Sequence, residues 1–449
     1  MGRRLIATLT AGTLALGGVY VTLDALDIVP GALTTRPAIP DPVPYPSLSP
    51  AERSAPELLA SATPAPAGDV NAAVDSLVND ERMGTLVGVS VIDGATGEMI
   101  AERNGEVPMP PASSTKVLTA AAALSTLGPE TRLATTATLS GDVVTLVGGG
   151  DILLTTGEAN DGANGHASLT DLAAQAADAL RASGIAEVTV AVDQSLFSGD
   201  AYSPEWGPID APWVMPISSV AVNRGQITGT SYFPDPALSA AAQFAAELSA
   251  AGIAVTGTPS HAASPADART IGVVRSASVE EIVHFMTKIS DNSVTEVMGR
   301  LTALALGYPG TFTGATAAVT QSLETLGLPV DGLTLYDVCG LSSNNLITSD
   351  LLARTVQLSL SEPALTSLIT SFPVMHLDGT LKDRGEDAAG FVRAKTGTLV
   401  HAVSLTGIIQ TDGGALLTFS AIASDVEYGG VASARRAIDV FVAGLKASL

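Results

Sequence analysis

Ser113-Ser114-Thr115-Lys116 is the first group in this 449-residue chain whose residue types and spacing could do covalent chemistry. A serine hydroxyl is a weak nucleophile until a base takes its proton. The group opens an expected Ala-rich helix over Ser113 to Leu127. Residues three apart on a helix share a face, so Ser113 and Lys116 can touch. Lysine can serve as the base only if burial or a nearby cation lowers its pKa. The free N–H groups at a helix start also favour developing negative charge. A second group, Lys395-Thr396-Gly397-Thr398, falls in an expected strand. There Gly397 lets a substrate backbone approach. Lys395 supplies a cation for a carboxylate and for tuning Lys116, and Thr396 and Thr398 offer hydroxyls to that carboxylate. The chain has five lysines, and two of them fall in these two groups, which makes coincidence a weak explanation.

A third element of the form Ser-x-Asn has three candidates: Ser290-Asp291-Asn292, Ser342-Ser343-Asn344 and Ser343-Asn344-Asn345. The first sits in a break between two amphipathic helices, where a loop can present Ser290 and Asn292 to a cleft. The other two lie in a Gly/Ser/Asn turn and are accounted for by turn chemistry. Ser290 and Asn292 are therefore the expected pair.

These groups need a scaffold, and the pattern predicts one. A helix is expected from Val70 to Arg82, then a hairpin of Val87 to Ile92 and Met99 to Arg103 around an Asp93-Gly94-Ala95-Thr96-Gly97 turn. Helical segments are expected near 278–289, 292–306, 313–326 and 348–359. Strands follow near 391–396, 402–410 and 414–423, and a closing helix spans 430–447. This reads as an α/β layer with one sheet and a helical cluster. Residues 131–270 have a different texture. They show short strands at 133–139, 142–148 and 187–193, helices at 169–182 and 236–251, and a loop-rich stretch with Trp206 and Trp213. The expected organisation is a catalytic domain in two pieces, 69–130 and 271–449, around an inserted domain, 131–270.

Composition excludes several classes. The net charge of -23 leaves no basic footprint for nucleic acid. One cysteine, Cys339, rules out an internal disulfide framework and a Cys-rich metal cluster. The five histidines form no HExxH pair, so neither a metal nor another cofactor is expected. Arg3 and Arg4 precede an uncharged run from Leu5 to Leu23. Residues 1–28 thus read as a signal peptide or a membrane anchor, with both options open and the remainder extracytoplasmic in either case. Residues 29–68 are rich in Pro, Ala and Ser and read as a stiff, extended linker.

S-x-x-K, S-D-N and K-T-G occur together, in this order, in class A β-lactamases and penicillin-binding proteins. From about residue 85 to the C-terminus the chain resembles the class C low-molecular-mass penicillin-binding proteins, the D-Ala-D-Ala carboxypeptidase/endopeptidase family. Gly148 to Asp151, Asp193 to Phe197 and Pro216 to Asn223 are similar to segments of that family's inserted region. Asp337 to Leu341 resembles a D-G-S-G-L stretch, and Asp378-Gly379-Thr380-Leu381 with Arg384 resembles another signature. Two departures stand out. Cys339 replaces the usual serine, beside Val338 where a small residue is usual, and reads as a buried small apolar residue. The 177 residues from Ser113 to Ser290 are fewer than in three-domain members, which implies a reduced insert.

The resemblance implies a transpeptidase-like serine acyltransferase fold and a set of roles. Ser113 attacks the penultimate D-Ala carbonyl of a peptidoglycan peptide, and Lys116 accepts its proton. Ser290 relays a proton to the leaving D-Ala, and Asn292 positions the substrate amide. Lys395, Thr396 and Thr398 hold the terminal carboxylate. The N–H groups of Ser113 and Thr398 form the oxyanion hole. β-Lactams are expected to acylate the same serine. The rivals on this fold are a β-lactamase, although no E-x-x-x-N element follows Ser290, and a D-amino-acid esterase or amidase. A wall-binding penicillin sensor is the non-enzyme rival.

Overall fold

The computed structural model describes residues 67–448. The expected export segment and all but the last two residues of the expected linker lie outside them. In chain order the catalytic groups are framed by α1 (Ala67–Val78), β1 (Leu86–Asp93), β2 (Met99–Arg103) and α2 (Thr115–Leu127). Then come β3 (Arg132–Ser140), β4 (Val143–Val147), β5 (Asp151–Leu154), α3 (Leu169–Ala182) and β6 (Glu187–Asp193). Three short strands follow, β7 (Val220–Val222), β8 (Gln226–Thr228) and β9 (Ser231–Tyr232). Next are α4 (Pro236–Ala250), β10 (Ala254–Val255), β11 (Ser260–His261) and β12 (Arg269–Ser278). The helical run is α5 (Val279–Ile289), α6 (Asn292–Ala305), α7 (Phe312–Thr325), α8 (Ser349–Leu358) and α9 (Thr366–Ser371). The chain closes with β13 (Val392–Thr398), β14 (Val403–Gln410), β15 (Leu416–Ser424) and α10 (Val431–Lys446).

The first sheet is antiparallel, in the order β13-β14-β15-β1-β2. It unites the first and last parts of the chain, so β13 is an edge strand. One face carries α1 and α10 over a core of Val74, Val89, Leu405, Phe419, Ile438 and Phe441. Ile408 and Ile422 on the other face join the core of α2 and the helical cluster. Because both faces are covered, Val87 to Asp93 of β1 are buried without alternation. Within the cluster α2 is enclosed on every side, with Thr115 through Leu124 all buried. Four consecutive alanines, Ala120 to Ala123, let the neighbouring helices pack close to it.

A second, mixed sheet runs β10-β6-β4-β3-β12, with β11 also pairing with β6. Helices α3 and α4 cover it with Leu172, Ala176, Leu180, Ala241, Phe244 and Leu248. In α3 the buried residues recur at helical spacing, and Ser168 caps the start by accepting from the Thr170 N–H. All strands of this sheet lie between 132 and 278, and β12 runs across position 270.

Two local differences from expectation have clear causes. The first helix stops at Val78 instead of running to Arg82, because Asp80 caps a new 3-10 turn by accepting from the Arg82 N–H. Ser113 sits in a 3-10 turn, Ala112–Ser114, leading into α2, which begins at Thr115. Among the described residues no helix is long and apolar enough to cross a membrane.

Candidate active site

The turn that carries Ser113 is held from several sides. Ala112 has φ +51°, a left-handed conformation that costs a residue with a Cβ about 1–2 kcal/mol. Thr115 Oγ1 donates to the Ala112 carbonyl at 2.8 Å. Ser404 Oγ donates to the Pro111 carbonyl at 2.5 Å and meets Ser114 Oγ at 2.7 Å. Gly397 on β13 faces this turn. A Cβ there would stand 2.3 Å from the Pro111 carbonyl oxygen and 2.1 Å from Ser404 Oγ. The glycine thus allows a close approach between β13 and the nucleophile turn, a use the sequence reading assigned to a substrate backbone instead.

Lys116 is fully buried and its Nζ has three neighbours. These are Ser113 Oγ at 3.0 Å, Asn292 Oδ1 at 2.6 Å and the Cys339 carbonyl at 2.6 Å. Burial pushes its pKa below the ordinary lysine value, and nearby acidic groups, among them Asp337, Asp291 and Glu296, oppose that only in part. A neutral amine has two N–H donors and one lone pair. Asn292 and Cys339 offer only acceptors at those positions, so they take the two donors and leave the lone pair for the Ser113 hydroxyl. Asn292 is oriented by its own Nδ2, which donates to the Trp213 carbonyl at 3.0 Å.

Ser290 and Asn292 come to the same place as Ser113 because of the α5–α6 junction. Ser290 ends α5 in a left-handed conformation, φ +60°. Asp291 caps α6 by accepting from the Val294 N–H at 2.9 Å, and Asn292 begins that helix. Asp291 is also paired with Arg224 at 2.9 Å, whose guanidinium lies over the Phe285 ring. Lys395, fully buried, donates to Ser290 Oγ at 2.9 Å and to the Thr396 carbonyl at 2.7 Å. Burial and then the charge of Lys116 drive its pKa well below the ordinary value. Hydrogen bonds thus join Lys116 to Ser113 and Asn292, and Lys395 to Ser290, in two groups that the α5–α6 junction brings together.

Thr396 and Thr398 lie on the opposite side of β13 from Lys395 and Gly397, as strand alternation requires. Thr396 Oγ1 meets Thr380 Oγ1 at 2.8 Å. Thr398 Oγ1 accepts from Arg435 on α10 at 2.7 Å.

A buried acidic cluster lies behind Lys116. Glu296 Oε1 accepts from the N–H groups of Val338 and Cys339 at 3.0 and 2.8 Å. Asp337 accepts from Gly340, Ser342, Asn345 and the Trp206 indole. This bonding fixes the 337–342 loop so that the Cys339 carbonyl points at Lys116. Burial raises the Glu296 pKa to about 7, with Asp337 adding to it. Burial also drives the Cys339 thiol well above its ordinary value, so it stays protonated as a small core residue. Glu296, Asp337 and Cys339 are the one group of described residues with metal-ligand spacing. The protonated thiol, the raised Glu296 pKa and the four donors that Asp337 accepts suit a loop anchor better than an ion, with Glu296 Oε2 alone left without a partner.

Arg224, Glu296 and Arg435 were not singled out from sequence, while Trp213 was noted only in a loop-rich stretch and Thr380 only within the Asp378 to Leu381 signature. Trp213 and Cys339 act through backbone carbonyls, which leave no mark on residue type. Arg224 follows the Pro216 to Asn223 segment directly, and its position beside Gly225 was the available signal.

Fold and site together define a serine acyl-transferring enzyme with a transpeptidase-like α/β architecture. The fold matches the crystal structure of penicillin binding protein 4 from Haemophilus influenzae. The TM-score is 0.68 at 19% identity, over 83% of this chain and 97% of that one. The chain belongs to the D-Ala-D-Ala carboxypeptidase 3 (S13) family, whose model matches residues 70–232 and 230–445. A carboxypeptidase of Mycobacterium tuberculosis is 36% identical over 86% of this chain and 85% of its own length. Carboxypeptidase DacB of Mycolicibacterium smegmatis is 35% identical over 94% of this chain and 91% of its own length.

Proposed function

We propose that this protein is a serine D-Ala-D-Ala carboxypeptidase acting on peptidoglycan stem peptides through an acyl-enzyme on Ser113. The observation that carries this reading is the bonding of Lys116. Its Nζ stands 3.0 Å from Ser113 Oγ and 2.6 Å from both Asn292 Oδ1 and the Cys339 carbonyl, so that in the neutral form the two N–H donors go to those fixed acceptors and the lone pair is kept for Ser113. In the first step Ser113 Oγ bonds to the penultimate D-Ala carbonyl carbon and its proton moves to Lys116 Nζ. The N–H groups of Ser113 and Thr398 receive the oxyanion. The C–N bond then breaks, and the proton held on Lys116 passes by way of the Ser290 hydroxyl to the departing D-Ala nitrogen, leaving Lys116 neutral again. Ser290 suits that role because Lys395 orients its Oγ at 2.9 Å. Asn292 aligns the substrate amide. In the second step water attacks the ester carbonyl carbon and gives its proton to Lys116, then the bond to Ser113 Oγ breaks and Lys116 returns that proton to Ser113.

A β-lactam enters the same first step, but its nitrogen stays tethered to the acyl group, so the adduct hydrolyses slowly. The same chemistry on a cross-link gives D,D-endopeptidase action. We place the protein outside the cytoplasm, held there by the N-terminal segment or secreted after its removal, because the substrate is assembled in the wall. The test is D-Ala release from a wall pentapeptide mimic by the purified protein. Release that penicillin blocks supports the reading. Absence of release with rapid, repeated penicillin turnover would replace it with a β-lactamase.

A further inference from the structure

Arg435 lies near the start of α10, and its one side-chain hydrogen bond among the described residues runs from Nη2 to Thr398 Oγ1 at 2.7 Å. Its Nε is buried with no partner. The acid one turn further on the helix, Asp439, is engaged instead by Arg384, at 2.8 Å from Nη2 and 3.3 Å from Nε. Arg384 also donates to the Arg435 carbonyl at 3.2 Å. Arg435 thus carries a half-buried positive charge with no carboxylate paired to it among the described residues. Burial and the Arg384 charge lower its pKa, and the charge of Asp439 offsets that only in part. Lys395, the cation expected to meet the substrate carboxylate, is fully buried and bonded inward to Ser290 and Thr396. It also projects from the other side of β13. Arg435 shares the side of Thr396 and Thr398.

We propose that Arg435 is a specificity-determining residue that, with Thr398 and Thr396, anchors the carboxylate carried by the leaving group. This assignment rests on the reading given under Proposed function. A guanidinium already holding a threonine hydroxyl through Nη2 suits a carboxylate better than a neutral amide or ester. An anion arriving there adds counter-charge that Asp439, shared with Arg384, supplies only in part. Lys395 is left free to act on Ser290 and Lys116.

The test compares two thioesters of N-benzoyl-D-alanine, one with thioglycolate as leaving group and one with its methyl ester. The parent enzyme is expected to prefer the carboxylate-bearing thioester in kcat/KM. In Arg435→Ala that preference should fall about 10- to 100-fold. Arg435→Gln, which retains a donor for Thr398, should lose it as well. Arg435→Lys should restore part of it, since it keeps the charge without the planar fork. A preference unchanged in all three variants, whether or not both rates drop together, would overturn the proposal and leave Arg435 as a brace for Thr398. A parent enzyme that turns over neither thioester would sink the proposed reaction itself, and this assignment with it.

Discussion

Gly397→Ala tests whether the edge strand sets the position of the nucleophile. The added methyl would lie 2.3 Å from the Pro111 carbonyl oxygen, 2.1 Å from Ser404 Oγ and 3.1 Å from the Ser114 nitrogen. Ser404 cannot simply rotate away, because its hydroxyl holds both the Pro111 carbonyl and Ser114. To regain ordinary contact, Pro111 and β13 must separate by roughly 1 Å. Overpacking of this kind costs about 1–3 kcal/mol, which a protein of this size can absorb while remaining folded. Catalysis is less tolerant, since a misplacement of about 1 Å can cost about 100-fold in rate. The assay is the second-order rate of covalent labelling by a fluorescent penicillin, with thermal unfolding measured in parallel. The expected result is a loss of roughly 100-fold in labelling with a modest fall in Tm. Labelling within threefold of the parent rate would refute the claim that this approach positions Ser113.

Two further predictions concern protons. If neutral Lys116 is the base, kcat/KM should rise with pH along a limb lying below the ordinary lysine range, the direction in which burial moves it. Lys116→Arg, which stays charged, should remove that limb and lower the rate by about 10²- to 10⁴-fold; a pH–rate profile checks both. Glu296 has its folded pKa raised from 4.5 to about 7. The stability this group contributes is fully present below about pH 4.5 and is lost as pH rises through 7, a loss of about 3 kcal/mol. Glu296→Gln keeps an acceptor for Val338 and Cys339, so it should flatten that decline in denaturation curves taken from pH 5 to pH 8. Parallel curves for parent and variant would contradict it.

Much of the site was legible because its chemistry is local in sequence. Ser113 and Lys116 are three residues apart, and the Ser290 to Asn292 junction is marked by the end of one amphipathic helix and the cap of the next. The strand of Lys395 and the hairpin at Val87 were visible as apolar runs bounded by turns. What stayed hidden depends on distant partners. The ten-residue β12 carries Arg269, Arg275 and several exposed positions, and it is a strand because β3 pairs along it. Gly397 was read for its strand, yet its neighbour is a turn nearly 290 residues earlier. Cys339 and Trp213 supply carbonyl oxygens, which any residue could provide. Arg435 reads from sequence as one polar residue on an amphipathic helix, and only the placement of α10 beside β13 gives it Thr398 as a partner.

The most direct measurement is peptide mapping by mass spectrometry after incubation with penicillin. The account predicts one adduct per chain, located on Ser113, and none on the Ser113→Ala protein. An adduct that persists in Ser113→Ala, or that maps to Ser290 or another residue, would contradict it.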